Sequence, residues 1–419
     1  MRPIADFIIE HADPVATCAG PAPRRGEAQR EIGALAGAAV AASNGRIVFV
    51  GAERDVGLSV DVDPGAVRID ARGCTVVPGF VDPHTHAIFA GDRRQELRSR
   101  LDGATYEEIA ARGGGILSTV ERTRAAGEEE LIASTRSRLD EMIACGTTTC
   151  EVKSGYGLET EAELKQLRVA RALDGSHPID LVPTFLGAHE VPPEYKSTRD
   201  GYIRLVVEEM IPRVAAGGLA EWCDVFCEHG VFTPEESAAI LRAGARAGLK
   251  PRVHADELGA TGGSRVAAAV RARSADHLVY VDEEGADLLA AADVCAVLLP
   301  IAALYLKLGK VAPARLLIGR SVPVALATDV NPGGGLSPSM PFAMTLACLT
   351  MHMTLEEALV AATINAAWSL DRADGVGSLE PGKLMDAVIV SGTLVELLRV
   401  GVPAIRTVIK RGVVVYERG

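Results

Sequence analysis

Five of the nine histidines fall in a pattern that could do chemistry. His84 and His86 stand two apart in Asp82-Pro-His-Thr-His86, after an apolar run. Residues two apart on an extended backbone project to one side, so two imidazoles can reach one cation. His189 closes Leu186-Gly-Ala-His189, His254 opens His254-Ala-Asp-Glu257, and His277 closes Ser274-Ala-Asp-His277. Asp329 and Asn331 stand in Thr328-Asp-Val-Asn331-Pro. A lone histidine near a strand is ordinarily a hydrogen-bonded structural residue. Five at equivalent ends of successive units point instead to a site. His84, His86, His254 and Asp329 offer three nitrogens and a carboxylate. That set suits Zn²⁺, with Fe or Ni second, and leaves room for a water at the open position a catalytic metal needs.

The elements that must position these groups are eight β-runs. They are Thr75 to Val81, Thr147 to Lys153, Asp180 to Leu186, Cys223 to Glu228, Pro251 to Asp256, Ala275 to Val279, Val294 to Pro300, and Pro323 to Asp329. Between them lie helical patterns with apolar residues three and four apart, such as Glu161 to Leu173. Another begins at Thr233-Pro234, an N-cap followed by proline at the first helical position. This alternation predicts an α/β chain with a (β/α)₈ TIM-like barrel, whose catalytic groups sit at the carboxyl ends of the strands. A doubly wound open sheet is disfavoured, because no dinucleotide fingerprint follows an early strand; Gly113-Gly114-Gly115 is only a lone glycine run. Both chain ends are β-rich, with hairpin signals at Asn44-Gly45 and Arg411-Gly412, and predict one small β-sandwich domain built from both termini. The expected divisions are 1–76, 77–372 and 373–419, with a loose loop over 12–35.

Composition excludes other classes. At 48% hydrophobic and 23% charged over 419 residues, disorder is ruled out. The net charge of −12, without basic blocks, argues against a nucleic-acid partner. The longest apolar run, Val294 to Leu306, is too short for a membrane span and contains Pro300. The opening MRPIADFIIEHADP lacks the order of a signal peptide, and eight scattered cysteines without a C-x-x-C pair suit reduced thiols. A cytoplasmic chain is expected, and a homodimer on the prevalence of twofold oligomers.

Pro78-Gly-Phe-Val-Asp-Pro-His-Thr-His86 and the closing Gly377-Ser-Leu-Glu-Pro-Gly-Lys-Leu-Met-Asp-Ala387 resemble the metal-dependent amidohydrolase superfamily. Within it, the chain resembles the imidazolonepropionase family. The carrying segments are Ala90-Gly-Asp-Arg93, Glu151-Val-Lys-Ser-Gly-Tyr156-Gly-Leu, Leu186-Gly-Ala-His189, Asp224 to Phe232, His254-Ala-Asp-Glu257, Ser274-Ala-Asp-His277-Leu and Thr328-Asp-Val-Asn331-Pro-Gly333. The resemblance implies hydrolytic opening of 4-imidazolone-5-propanoate to N-formimidoyl-L-glutamate in histidine degradation. It implies one Zn²⁺ or Fe³⁺ per subunit on His84, His86, His254 and Asp329. Arg93, Tyr156, His189 and Glu257 match substrate-contacting positions, and Asn331 and Gly333 match positions that contact a product-like state. One departure stands out: the family often has Ser or Thr where this chain has Gly334.

Opening a cyclic amide needs an activated water, a polarised carbonyl and a proton for the departing nitrogen. His277 is expected to hold the water or the carbonyl oxygen, Asp329 to steer the water, and Glu257 to shuttle the proton. The bland alternative for Glu257 is a partner that orients His254. Arg93, with Tyr156, is expected to clamp the propionate; Arg94 is taken as solvated. Lys153 lies on the second strand, not the fourth where some amidohydrolases carry a bridging lysine. Glu228-His229 takes that place, so one metal is expected and His229 is the ambiguous histidine. His11, His177 and His352 are read as structural, and Asp256 and Asp276 as acceptors behind the ligands. The competing enzyme is another cyclic-amide hydrolase or heterocycle deaminase, which would not need Arg93 beside Tyr156. The competing non-enzyme is a metal-holding binding protein, which would be expected to lack Glu257, His277 or Asp329.

Overall fold

The computed structural model describes residues 2–104, 108 and 114–419; Gly113 of the glycine run lies outside them. Eight parallel strands lie side by side in chain order: Phe80–Asp82, Thr147–Lys153, Asp180–Ala188, Trp222–Cys227, Lys250–Ala255, Ser274–His277, Cys295–Leu298 and Val324–Leu326. The first expected run, Thr75 to Val81, needs correction. It divides at Gly79: Cys74–Pro78 pairs antiparallel with Ala387–Ser391 outside the barrel, and only Phe80–Asp82 enters it. A Cβ at Gly79 would lie 2.3 Å from Thr148 Oγ1, so the passage between sheets requires glycine.

The first and last barrel strands meet through bonds at their carboxyl ends. Asp329 N–H donates to His84 O (3.1 Å) and His86 N–H to Val330 O (2.9 Å). Thr328 donates its N–H and its hydroxyl to the two oxygens of buried Asp82. The seam therefore joins the segments that carry His84, His86 and Asp329.

Helices cover the barrel where apolar periodicity placed them. Thr160–Asp174 buries Leu164, Leu167 and Leu173, and Pro234–Arg246 starts in a capping box of Thr233 with Glu236. Among the described residues no helix is long and apolar enough to cross a membrane.

The termini share sheets as expected. One four-stranded sheet holds Arg46–Ala52, Ala38–Ser43, Ile4–Ala12 and Asp61–Asp70. A six-stranded sheet runs Val413–Glu417, Ile405–Lys410, Ala387–Ser391, Cys74–Pro78, Val15–Ala16, Ala34–Leu35 and so mixes both ends of the chain. Phe7, Val40, Val76 and Ile389 are packed in one apolar cluster within this region. Both predicted hairpins form, with Asn44-Gly45 and Arg411-Gly412 at positive φ. The segment 12–35 is not loose. Arg24 N–H donates to Asn365, and buried Gln29 exchanges bonds with the backbone of Val324, so the segment is fastened to the barrel.

Candidate active site

The five strand-end histidines converge. Ligand atoms of His84, His86 and Asp329 lie within 4.8 Å of one another, as do those of His84, His254 and His277. Asp329 Oδ1 is 3.7 Å from His84 Nε2 and 3.6 Å from His86 Nε2, and His86 Nε2 is 3.3 Å from His254 Nε2. All are buried, and His84 Nε2 and Asp329 Oδ1 have no hydrogen-bond partner. Buried polar atoms are nearly always bonded, so unbonded donors converging on one point fit a cation.

The far nitrogens face carboxylates, His84 through a hydrogen bond and His254 at close distance without hydrogen-bond geometry. His84 Nδ1 is 2.6 Å from Asp276 Oδ2, and His254 Nδ1 is 3.0 Å from Asp224 Oδ2. Protons on those nitrogens leave the Nε2 lone pairs facing the shared point. Asp276 thus sits where the sequence placed it. Asp256 does not: its carboxylate accepts N–H bonds from Thr261, Gly262, Gly263 and Ser264, and organises the loop after the fifth strand. His277 and Asp329 take φ of 76° and 52°, a left-handed turn that costs a non-glycine residue about 1–3 kcal/mol and turns the chain at the strand end.

Burial sets the protonation states. It holds His84, His86 and His277 well below the usual imidazole range, with neighbouring Lys153 and imidazoles adding to the effect. Burial likewise lowers His189 to about 3. Neutral imidazoles are the metal-binding form. Burial raises Asp329 to about 7, a direction that a cation at the cluster would reverse. Burial, then the charges of Asp329 and Glu228, raise Glu257 well above the carboxylate range. Glu257 Oε1 lies 3.4 Å from His277 Nδ1, so its neighbour is His277, while Asp224 is the residue that orients His254.

Beside the cluster, His189 stacks on His86 with ring centroids 5.0 Å apart, and Tyr156 lies 5.5 Å from His189. His189 Nδ1 bonds Gly155 O at 3.0 Å. Gly155 has φ of 105°, and a Cβ there would lie 2.9 Å from that same Nδ1, so only glycine lets the ring approach. Arg93 is bonded along one edge to a carboxylate of the chain itself: Nε and NH2 reach the two oxygens of Glu96 at 2.9 and 2.8 Å. That pairing changes the expected two-toothed clamp. A substrate carboxylate must meet another edge of Arg93 or replace Glu96. Arg94 is exposed, as expected. Asn331 donates to Asp329 O and accepts from the N–H groups of Gly333 and Gly334, so its amide shapes the loop. A Cβ on Gly333 would lie 2.6 Å from Arg93 Cζ.

The remaining histidines stand apart. His229 is exposed and lines a separate cavity of about 180 Å³ with Arg199 and Thr261. His11 pairs with Glu53 and His177 with Asp140. Sequence reasoning missed Asp224, Glu151 and Arg252, and gave Lys153 no role, yet all four are fully buried behind the cluster. The signal was present: Glu151 and Lys153, two apart in an apolar run, must share one side of a strand.

Residues 75–415 match the model of the amidohydrolase family. Imidazolonepropionase of Shouchella clausii is 49% identical over 98% of this chain and 93% of its own length. That of Symbiobacterium thermophilum is 49% identical over 100% and 99%. Among solved structures, a zinc-bound adenosine deaminase from Xanthomonas campestris superposes with a TM-score of 0.72 at 19% identity, over 99% of this chain and 93% of that one.

Proposed function

Since the chain belongs to the amidohydrolase family, and within it to the imidazolonepropionases, we propose that it opens the ring of 4-imidazolone-5-propanoate to N-formimidoyl-L-glutamate by hydrolysis. The observation that carries the site is the convergence of His84 Nε2, His86 Nε2, His254 Nε2 and Asp329 Oδ1, two of them buried without a bond. These four residues would hold one Zn²⁺ or Fe³⁺. Such a cation supplies Lewis acidity, polarising a carbonyl and lowering the pKa of water from about 15.7 towards about 7.

The chain's own residues divide the remaining work. Burial raises the proton affinity of Glu257, so its ionised form would be a stronger base towards water than an ordinary carboxylate, and the acid so formed could return that proton to the ring nitrogen. His277 Nε2, buried without a partner, is placed to bond the water or the carbonyl oxygen. Asp329, besides its part in holding the metal, would steer that water. His189, with Nδ1 held by Gly155, and Tyr156 line the substrate side; Arg93 receives the propionate, and Asn331 shapes the loop that presents Gly333. The sheet shared by both termini supports separate barrel and β-sandwich bodies, with the first cut at Gly79 instead of 76. Eight free cysteines support a reducing, cytoplasmic setting. We also keep the homodimer as a proposal.

The test is metal analysis together with incubation in 4-imidazolone-5-propanoate. One equivalent of metal and loss of the ring's ultraviolet absorbance are expected. Loss of absorbance without formimidoylglutamate, or turnover of a neutral heterocycle in its place, would favour the deaminase class.

A further inference from the structure

We propose that Lys153 is a positioning residue of the metal centre: one buried ammonium that holds, through Asp224, the imidazole of His254. The inference rests on the ligand set proposed above. Lys153 Nζ lies 2.7 Å from Glu151 Oε1, 2.7 Å from Asp224 Oδ2 and 4.0 Å from Asp276 Oδ2, and its side chain is fully buried. The oxygens matter individually. Asp224 Oδ2 is the atom 3.0 Å from His254 Nδ1, and Asp276 Oδ2 is the atom 2.6 Å from His84 Nδ1. Each carboxylate oxygen therefore stands between the ammonium and an imidazole that faces the cation.

The same strand also fixes the residue between the paired histidines. Lys153 N–H donates to Thr85 O (3.0 Å), Thr85 N–H donates to Glu151 Oε2 (3.1 Å), and Thr85 Oγ1 donates to Glu151 O (2.6 Å). The second barrel strand, which supplies no ligand, thus restrains His84, His86 and His254 together. Arg252 cannot replace it. Its guanidinium donates to Ser369 O and Pro83 O and reaches Asp276 Oδ2 at 3.5 Å, nearer than the ammonium, but among the described residues it bonds neither Asp224 nor Glu151. Without the ammonium, Glu151 and Asp224 would face each other as buried like charges. Asp224 Oδ2 would also lose the donor that fixes it beside His254 Nδ1, and that loss does not depend on the charge at position 151.

Lys153→Met keeps length and removes charge. Metal affinity would be measured by chelator competition, and ligand geometry by the absorption bands of the Co²⁺-loaded protein. A folded variant with ten- to a hundred-fold weaker affinity and shifted Co²⁺ bands is expected. Asp224→Asn should weaken binding too, and adding Lys153→Met to it should cost little more, because both changes break one chain of contacts. Wild-type affinity and bands in Lys153→Met would overturn the proposal. So would an equal loss in the Asp224→Asn background, which marks a merely structural lysine. If Lys153→Met does not fold, Lys153→Met/Glu151→Gln removes one charge of each sign, and the same loss is expected of it; wild-type affinity there overturns the proposal. A wild-type protein that binds no metal sinks the ligand set and this inference together, whereas tight binding in the variants sinks this inference alone.

Discussion

Glu257 and His277, to which we assign the proton chemistry, lie 3.4 Å apart at the carboxyl ends of adjacent strands. Glu257→Gln keeps the shape and removes the base. Metal content should stay at the wild-type level while kcat falls by roughly 10²–10⁴-fold. A variant that turns over normally, or one that simply loses its metal, would give Glu257 an orienting role. Arg93 tests the substrate's carboxylate. Truncating one partner of a buried charge pair costs about 2–5 kcal/mol. Arg93→Ala should then lower kcat/KM by roughly 30- to 5,000-fold, and exposed Arg94→Ala should change it little. A ring analogue without the propionate should be handled almost equally poorly by wild type and Arg93→Ala. Equal damage on both substrates would make Arg93, with Glu96, a structural pair. The proposed ligands stood out at this scale because histidine is rare and its spacing unusual. Glu96 was not: three residues after Arg93 at the start of a helix, it reads as an ordinary surface acid, and only folding brings its oxygens to the guanidinium.

At the scale of elements, seven barrel strands stood near their predicted places, since buried parallel strands are apolar runs bounded by turns. The first predicted run failed at Gly79 because a run continuous in hydrophobicity is shared by two sheets, and hydrophobicity does not record which sheet a strand joins. The loop after the second strand shows another limit. Glu163 on the helix Thr160–Asp174 is fully buried, and its carboxylate accepts the N–H groups of Gly155, Gly157 and Leu158 at 2.9, 2.8 and 2.8 Å. Periodicity presents it as one helix residue among others, whereas it shapes the loop that carries Tyr156. Buried donors left unpaired cost about 1–3 kcal/mol each. Glu163→Ala should therefore destabilise the protein by about 3 kcal/mol or more in urea unfolding. It should also raise KM with metal content unchanged, because the loop lies on the substrate side of the cluster. Unchanged stability would mean that water takes over all three bonds.

Across the whole molecule, the buried site couples metal, protons and stability. Below pH 6.5 the unfolded chain protonates histidines that the fold keeps neutral: His84, His86 and His277 lie well below that value and His189 near 3. The unfolded state then binds more protons, so these groups make stability fall as pH falls. Asp82, raised to about 7, and Glu257, raised by burial, act in the opposite sense. Each is ionised in the unfolded chain above about pH 4 yet keeps its proton in the fold, so its contribution falls as pH rises towards the folded value. In the metal-free protein Asp329, also raised to about 7, joins that opposing pair. A cation removes Asp329 from it by holding the carboxylate ionised. Between about pH 5 and 6 the loaded protein should therefore lose stability on acidification more steeply than the stripped protein. The difference is up to one proton, or about 1.4 kcal/mol per pH unit. Buffering free metal at about 100 times its Kd should add about 2.7 kcal/mol at neutral pH. Urea unfolding with chelator or with buffered metal, repeated across this window, reads both quantities. Parallel pH dependences for the two forms would show that Asp329 does not bind the metal, and the donor set would have to be rebuilt around the histidines alone.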